Sequence, residues 1–274
     1  MRVLKVQMKE CLNQIEFKVC FAFWCLISFG GIVISCMKYY DCNYLNIRSA
    51  ADSFLLVSPN ASAVAQIFTL TFPLIAAVMC AGTRRNGEKS GGGLFSMTRM
   101  SRKQYVFGNA LVTVLLTGAS ILFTLLVNQL LCLVVFPVEG YSNRFGVAEY
   151  LAPLNYDSNA LLDFLQVQNP YLYNLIYMML ISVLGAGIGF VCYAVQLQKI
   201  FQRYRTLYIS IGIFLLFIGL SVMGQILDMP LLSFLSYVEV GHYVRISDYI
   251  LFVILIYGAG TILTIRGAYQ YEYF

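Results

Sequence analysis

The stretch Gly82-Thr-Arg-Arg-Asn-Gly87-Glu88-Lys89-Ser90 comes nearest to a chemical motif in this chain. A phosphate-binding loop sets two glycines ahead of a lysine and a hydroxyl residue, so that backbone N–H groups cradle the phosphates at the start of a helix. Here one residue too many separates Gly87 from Lys89, no strand precedes the loop, and Gly91-Gly92-Gly93 occupies the place where the helix should begin. The stretch reads as a basic loop and not as a nucleotide site. Other reactive residue types are no better arranged. Most of the eight cysteines lie within apolar runs, where the thiol behaves as a small apolar group, and no CxxC or Cys/His cluster exists to hold a metal. Cys36 and Cys42 are close enough in sequence to pair on the outer side, with free thiols the favoured reading. The sole histidine, His242, lies in a short connection, so no metal triad can form, and no pair of aspartates lies in an apolar run to support intramembrane proteolysis.

The elements that would position such groups are apolar helices. Of the 274 residues, 59% are hydrophobic and only 11% are charged, too few polar side chains to clothe a water-soluble domain. About 20 apolar residues cross the roughly 30 Å of hydrocarbon in a bilayer. Six stretches meet that length, near 19–37, 61–82, 109–136, 171–195, 207–227 and 249–265. Their unbroken apolar character excludes the alternation of a β-barrel. The expected fold is all-α: a six-helix transmembrane bundle over residues 19–274, preceded by an amphipathic interfacial helix over residues 1–18. In that helix Val3, Leu4, Met8, Cys11, Leu12 and Ile15 recur at helical spacing among Lys5, Lys9, Glu10 and Glu16. Val33-Ile34-Ser35-Cys36 looks like a lipoprotein cleavage box, but an 18-residue polar lead-in and five later spans favour a plain first transmembrane helix.

Charge sets an expected orientation. Fourteen of the 18 basic residues fall on one side, at Arg2, Lys5, Lys9, Lys18, Arg84, Arg85, Lys89, Arg99, Arg102, Lys103, Lys199, Arg203, Arg205 and Arg266. The positive-inside rule places that side, with both termini, in the cytoplasm. Most acids fall on the other side. The net charge of +5 therefore points to an anionic leaflet and not to nucleic acid.

Within the spans the residue types are telling. No Asp, Glu, Lys or Arg lies in the middle of any span, although ion-coupled carriers and pumps depend on such groups. Gln66, Asn128 and Gln129 are polar neutrals able to bond neighbouring helices. Pro73 is expected to kink the second span. Gly185-Ala186-Gly187-Ile188-Gly189 in the fourth span should let helices approach closely, and Gly212 with Gly219 in the fifth is read the same way. Between spans, residues 161–165 are expected to form a short surface helix capped from Asp157-Ser158. The apolar segment 230–244 is expected to dip into the outer leaflet and return.

The most basic connection, residues 83–108, carries Glu88, Gly91, Leu94, Ser101, Arg102 and Gly108 in order. This pattern resembles the loop between the second and third spans of ABC-2 type permeases, the membrane subunits of ABC exporters. Such loops show an acid, a glycine, a short leucine-containing helix, a Pro-x-Ser-Arg turn and a Gly-Lys opening the third span. Arg99 stands where the proline is usual, and Asn109 where the lysine is. The amphipathic N-terminus, the span count, the run from Leu232 to Val244 and the aromatic tail Tyr269–Phe274 are also similar to that family.

The resemblance implies a permease subunit of an ATP-driven exporter that is not itself an enzyme. Its partners would be an ABC ATPase subunit, which would hold the ATP and magnesium, and a second permease subunit, identical or related, in membrane lipid. Residues 83–108 would form the loop that couples to the ATPase. The uncharged spans suit an apolar or amphipathic cargo such as a peptide, a drug or a lipid-like molecule. An uncoupled channel or carrier, and a non-transporting sensor or immunity subunit, are the alternatives.

Overall fold

The computed structural model describes residues 2–43, 47–79, 82, 101–139, 161–227, 229–240 and 245–270. Its helices are α1 (Arg2–Leu12), α2 (Ile15–Tyr39), α3 (Ser62–Met79), α4 (Arg102–Val135), α5 (Asp163–Gln168), α6 (Pro170–Gln196), α7 (Thr206–Ile226), α8 (Leu235–Val238) and α9 (Ile246–Gln270), with a 3₁₀ turn at Pro230–Leu232. Six of them (α2, α3, α4, α6, α7 and α9) are long and apolar enough to cross a membrane. The protein is an all-α, multi-pass membrane bundle.

Local signals explain where the helices begin. Ser101 caps α4 in a reciprocal box: the Gln104 N–H donates to Ser101 Oγ (3.4 Å) and the Ser101 N–H donates to Gln104 Oε1 (3.2 Å). That cap starts the helix seven residues before the expected boundary at 109. At 34 residues α4 is about 51 Å long, well beyond the hydrocarbon thickness, so its first turns project from the bilayer. Asn169 caps α6, accepting from the Leu172 N–H at 3.1 Å, and Pro170 supplies the fixed φ of the first turn. The short helix expected near 161–165 is α5, and its N-cap is Leu162, in the left-handed region (φ 58°) with no side-chain bond. Asp157 and Ser158 lie outside the described residues. Helix α3 runs unbroken through Pro73, where the Thr69 carbonyl loses its usual donor.

Helix α6 is the centre. Two thirds of its most apolar window is buried (67%), against 28% for α9. Its glycines explain this position. A Cβ on Gly189 would stand 3.1 Å from the Ala76 carbonyl oxygen of α3 and from Thr117 Oγ1 of α4. On Gly187 it would stand 2.8 Å from Ile256 Cγ2 of α9, and on Gly185 it would strike Ile121 and Phe72. Three glycines on one helix thus seat three neighbours. The expectation for Gly212 and Gly219 does not hold. A Cβ at either would meet nothing within 4 Å, because both lie on the exposed face of α7 among Leu215, Leu216 and Leu220. That face suits lipid.

At the end of the bundle opposite the basic residues, two irregular segments pack inward. One runs from Ile47 to Asn60 and buries Phe54, Leu55 and Leu56. The other, 229–240, buries Phe234, Tyr237 and Val238; Tyr177 Oη donates to the Tyr237 carbonyl (3.1 Å) and the Tyr237 ring stacks on Phe252 at 4.9 Å. The second segment is therefore held against α6, α7 and α9 as a plug; residues 241–244, including His242, lie outside the described residues. None of the described cysteines, Cys36 and Cys42 among them, is in a disulfide.

The packing yields a paired prediction. Gly189→Leu must displace an α3 backbone carbonyl and should cost about 3 kcal/mol, whereas Gly212→Leu should stay within about 0.5 kcal/mol. Thermal unfolding of both variants in the same detergent measures the difference. Equal effects would contradict the central placement of α6.

Candidate functional site at the basic end

The foot of α4 gathers the described part of the loop singled out by sequence. Ser101 is the cap, Arg102 opens the helix, and Gly108 sits two turns further on. Glu88, Gly91 and Leu94 lie outside the described residues.

Gly108 has a definite structural reason to be small. Helix α1 lies across the foot, and the Gln7 side chain rests on Gly108, where a Cβ would come 2.6 Å from Gln7 Oε1. Gln7 Nε2 donates to the Tyr105 carbonyl at 3.3 Å. Helix α1 therefore turns Gln7, Cys11 and, beyond its end, Gln14 inward, while Val6, Met8, Leu12 and Ile15 face out beside Lys5 and Lys9. The inward stripe is small and polar, and the outward face carries the apolar residues. The spanning helix α2 starts at Ile15, with only Asn13 and Gln14 between it and the end of α1. Burial of the Glu10 carboxyl on α1 raises its pKa above the usual 4.5.

Two further helices tie the foot. Tyr193 Oη, near the end of α6, donates to the Val106 carbonyl at 3.0 Å. Lys103 Nζ donates to Tyr269 Oη of α9 (3.4 Å) and sits 4.6 Å from that ring's centroid. Val106, Ala110, Phe190, Tyr193, Leu197 and Ala268 form a small apolar cluster beneath these bonds. Beyond α6, Gln198 Nε2 donates to the Leu263 carbonyl of α9 at 2.7 Å. The foot is thus one body with α1, the end of α6 and the end of α9.

A second polar cluster lies at the other end of α4. Asn128 and Gln129 are buried, as their position in a span requires, but they chiefly bond the 47–60 segment. The Leu55 N–H donates to Asn128 Oδ1 (3.0 Å), and Gln129 Nε2 donates to the Ala50 carbonyl (3.1 Å). Asn128 Nδ2 also reaches the Ser28 carbonyl of α2 at 2.8 Å. Asn174 of α6 completes the set, with Nδ2 at 2.9 Å from both the Ala51 carbonyl and Gln129 Oε1. Sequence reasoning missed Asn174, although an amide four residues into an apolar helix is the same signal that picked out Asn128. Gln66 faces outward. Most span hydroxyls bond their own preceding turn, as Ser182 does to the Met178 carbonyl at 2.6 Å. Among the described residues no group of three His, Cys, Asp or Glu side chains could hold a metal ion.

Comparison with known proteins finds no match, either to a family model, to a curated protein or to a solved structure.

The docking of α1 can be measured. Gly108→Ala displaces the Gln7 amide and breaks its bond to Tyr105, a loss of about 1 kcal/mol, and the same substitution in a Gln7→Ala background should cost almost nothing. Strict additivity in this double-mutant cycle would show that the two residues do not touch. Glu10 sets a pH dependence. Because its pKa is raised on docking, the docked state binds more protons, so docking is strongest below the usual carboxylate range and weakens as pH rises through the raised value. A spin label on α1 should report this loosening, and Glu10→Gln should abolish it.

Proposed function

We propose that the chain is the permease subunit of an ATP-driven exporter in a bacterial cytoplasmic membrane, with both termini and the α4 foot in the cytoplasm. A separate ABC ATPase subunit supplies ATP hydrolysis, a second permease subunit completes the assembly, and residues 83–108 receive the push. The observation that carries the proposal is mechanical. The loop with the permease-like residue order runs directly into a capped, projecting foot that α1, α6 and α9 hold as one body. A force applied at Ser101 and Arg102 therefore reaches three helices at once. Because the spans hold no mid-membrane charge to relay an ion, uphill movement needs an outside energy source. The outward apolar face of α1, flanked by Lys5 and Lys9, suits the anionic inner leaflet. An apolar or amphipathic cargo, such as a peptide, a drug or a lipid-like molecule, fits the uncharged spans.

The test is purification from native membranes in mild detergent, followed by cargo-stimulated ATPase assay in lipid. An ABC ATPase should co-purify with the chain. Glu88→Lys and Arg102→Glu should each lower transport per ATP hydrolysed by about tenfold, the effect of losing one contact worth about 1.4 kcal/mol. If no ATPase co-purifies, or both variants transport normally, the reading is wrong.

A further inference from the structure

We propose that residues 48–53 form a flap that opens at the acidic end of the bundle, hinged on the buried Phe54–Leu56 anchor, and that opening uncovers a polar wall of Gln129, Cys132 and Asn174. The two halves of the 47–60 segment are held by different physics. Phe54, Leu55 and Leu56 are driven into the apolar core beside Gly31 and Ala61, and withdrawing three large side chains would expose a wide apolar surface. Residues 48–53 read Arg-Ser-Ala-Ala-Asp-Ser and carry no large apolar side chain. Ala50 makes one small apolar contact, packed against Ile32, Cys132 and Phe136; the rest of the attachment is a row of hydrogen bonds from neighbouring side chains and backbone to main-chain groups. The Ala50 N–H donates to the Pro137 carbonyl (2.8 Å), Gln129 Nε2 to the Ala50 carbonyl (3.1 Å), Asn174 Nδ2 to the Ala51 carbonyl (2.9 Å) and Cys132 Sγ to the Ser53 carbonyl (3.3 Å). Water can replace bonds of this kind at little net loss, which it cannot do for a buried phenyl or isobutyl group.

Two observations set this stretch apart from a merely structural turn. Irregular backbone at membrane depth is tolerated only where it is enclosed by protein or lines a water-filled cavity. Here it is enclosed, yet the hydroxyl of Ser53, within the stretch itself, is buried with no hydrogen-bond partner among the described residues. The closed arrangement thus leaves a polar atom dry that an open one would hydrate. The seat beneath is polar in its own right. Gln129 and Asn174 bond each other at 2.9 Å, so the wall keeps part of its own hydrogen bonding when the flap leaves. This behaviour does not depend on whether an ATPase drives the chain.

Cys132 is a native reporter, since it is fully buried beneath Ser53, whereas Cys42 is exposed at the same end and Cys192 is fully buried towards the other. The full chain is made in three forms, each keeping one of these cysteines with the other seven of the eight replaced by alanine. Each is placed in lipid nanodiscs, where both faces meet a water-soluble maleimide, so the result does not depend on membrane orientation. Cys132 should label about tenfold or more slowly than Cys42, at a measurable rate set by flap opening. Gln129→Ala and Asn174→Ala should each bring Cys132 about tenfold closer to Cys42 and leave Cys192 protected. Three results would overturn the proposal: Cys132 labels as fast as Cys42 in the unaltered flap, Cys132 stays protected in both amide variants, or Cys192 becomes reactive in step with Cys132. The last would mean that the amides hold the whole bundle and not a flap.

Discussion

The close approach of α3, α4 and α9 to the glycines of α6 is the constraint on which the bundle depends. In lipid there is no hydrophobic gain from pressing one apolar helix against another, so association rests on van der Waals contact and hydrogen bonds between helices. Gly185, Gly187 and Gly189 provide the contact by removing the side chains that would hold the neighbours away. Helix α6 becomes the most enclosed span, and α7 and α9 are left with broad lipid-facing sides. Most polar side chains that remain within the spans are satisfied locally. Thr113, Ser120, Thr124, Ser221 and Thr264 each donate to the carbonyl one turn back. They are therefore weak candidates for gripping a cargo.

The two ends of the bundle are built differently, and α4 runs between them. At the basic end, long side chains from α1, α6 and α9 fasten its foot by single directed bonds. At the acidic end, Asn128, Gln129 and Cys132 of the same helix fasten an irregular segment by its backbone. A rigid helix cannot turn or slide at one end without carrying the other. Any displacement of the foot therefore strains the bonds that close the acidic end, and this is the physical route by which an event at residues 83–108 would be felt across the membrane.

Much of this was legible from residue order, for reasons that can be stated case by case. Length and apolarity alone mark the six spans, because the bilayer imposes a minimum length that no other element among the described residues reaches. The Gly185–Gly189 run was readable because small residues in a buried helix have few other uses. The same reasoning failed for Gly212 and Gly219, since the pattern of a helix does not say which face meets lipid. The early start of α4 was missed because the apolar run begins later than the cap, and Ser101 with Gln104 carries the signal instead. The seating of residues 47–60 was illegible, because its partners Asn128 and Asn174 lie 73 and 123 residues away from the groups they bind. Of the loop residues, Ser101 as the cap of α4 and Gly108 as a seat for Gln7 have a structural reason.

The packing of α4 against α6 can be tested by covalent capture. A Cβ on Gly118 would stand 3.4 Å from the Ala186 Cβ, close to the roughly 3.8 Å typical of a disulfide. In a cysteine-free chain with a protease site between the two helices, Gly118→Cys with Ala186→Cys should cross-link nearly completely under mild oxidation, so that the cleaved halves stay joined until reduced. Halves that separate under the same conditions would show that the two helices do not meet there, and the arrangement built on α6 would fall.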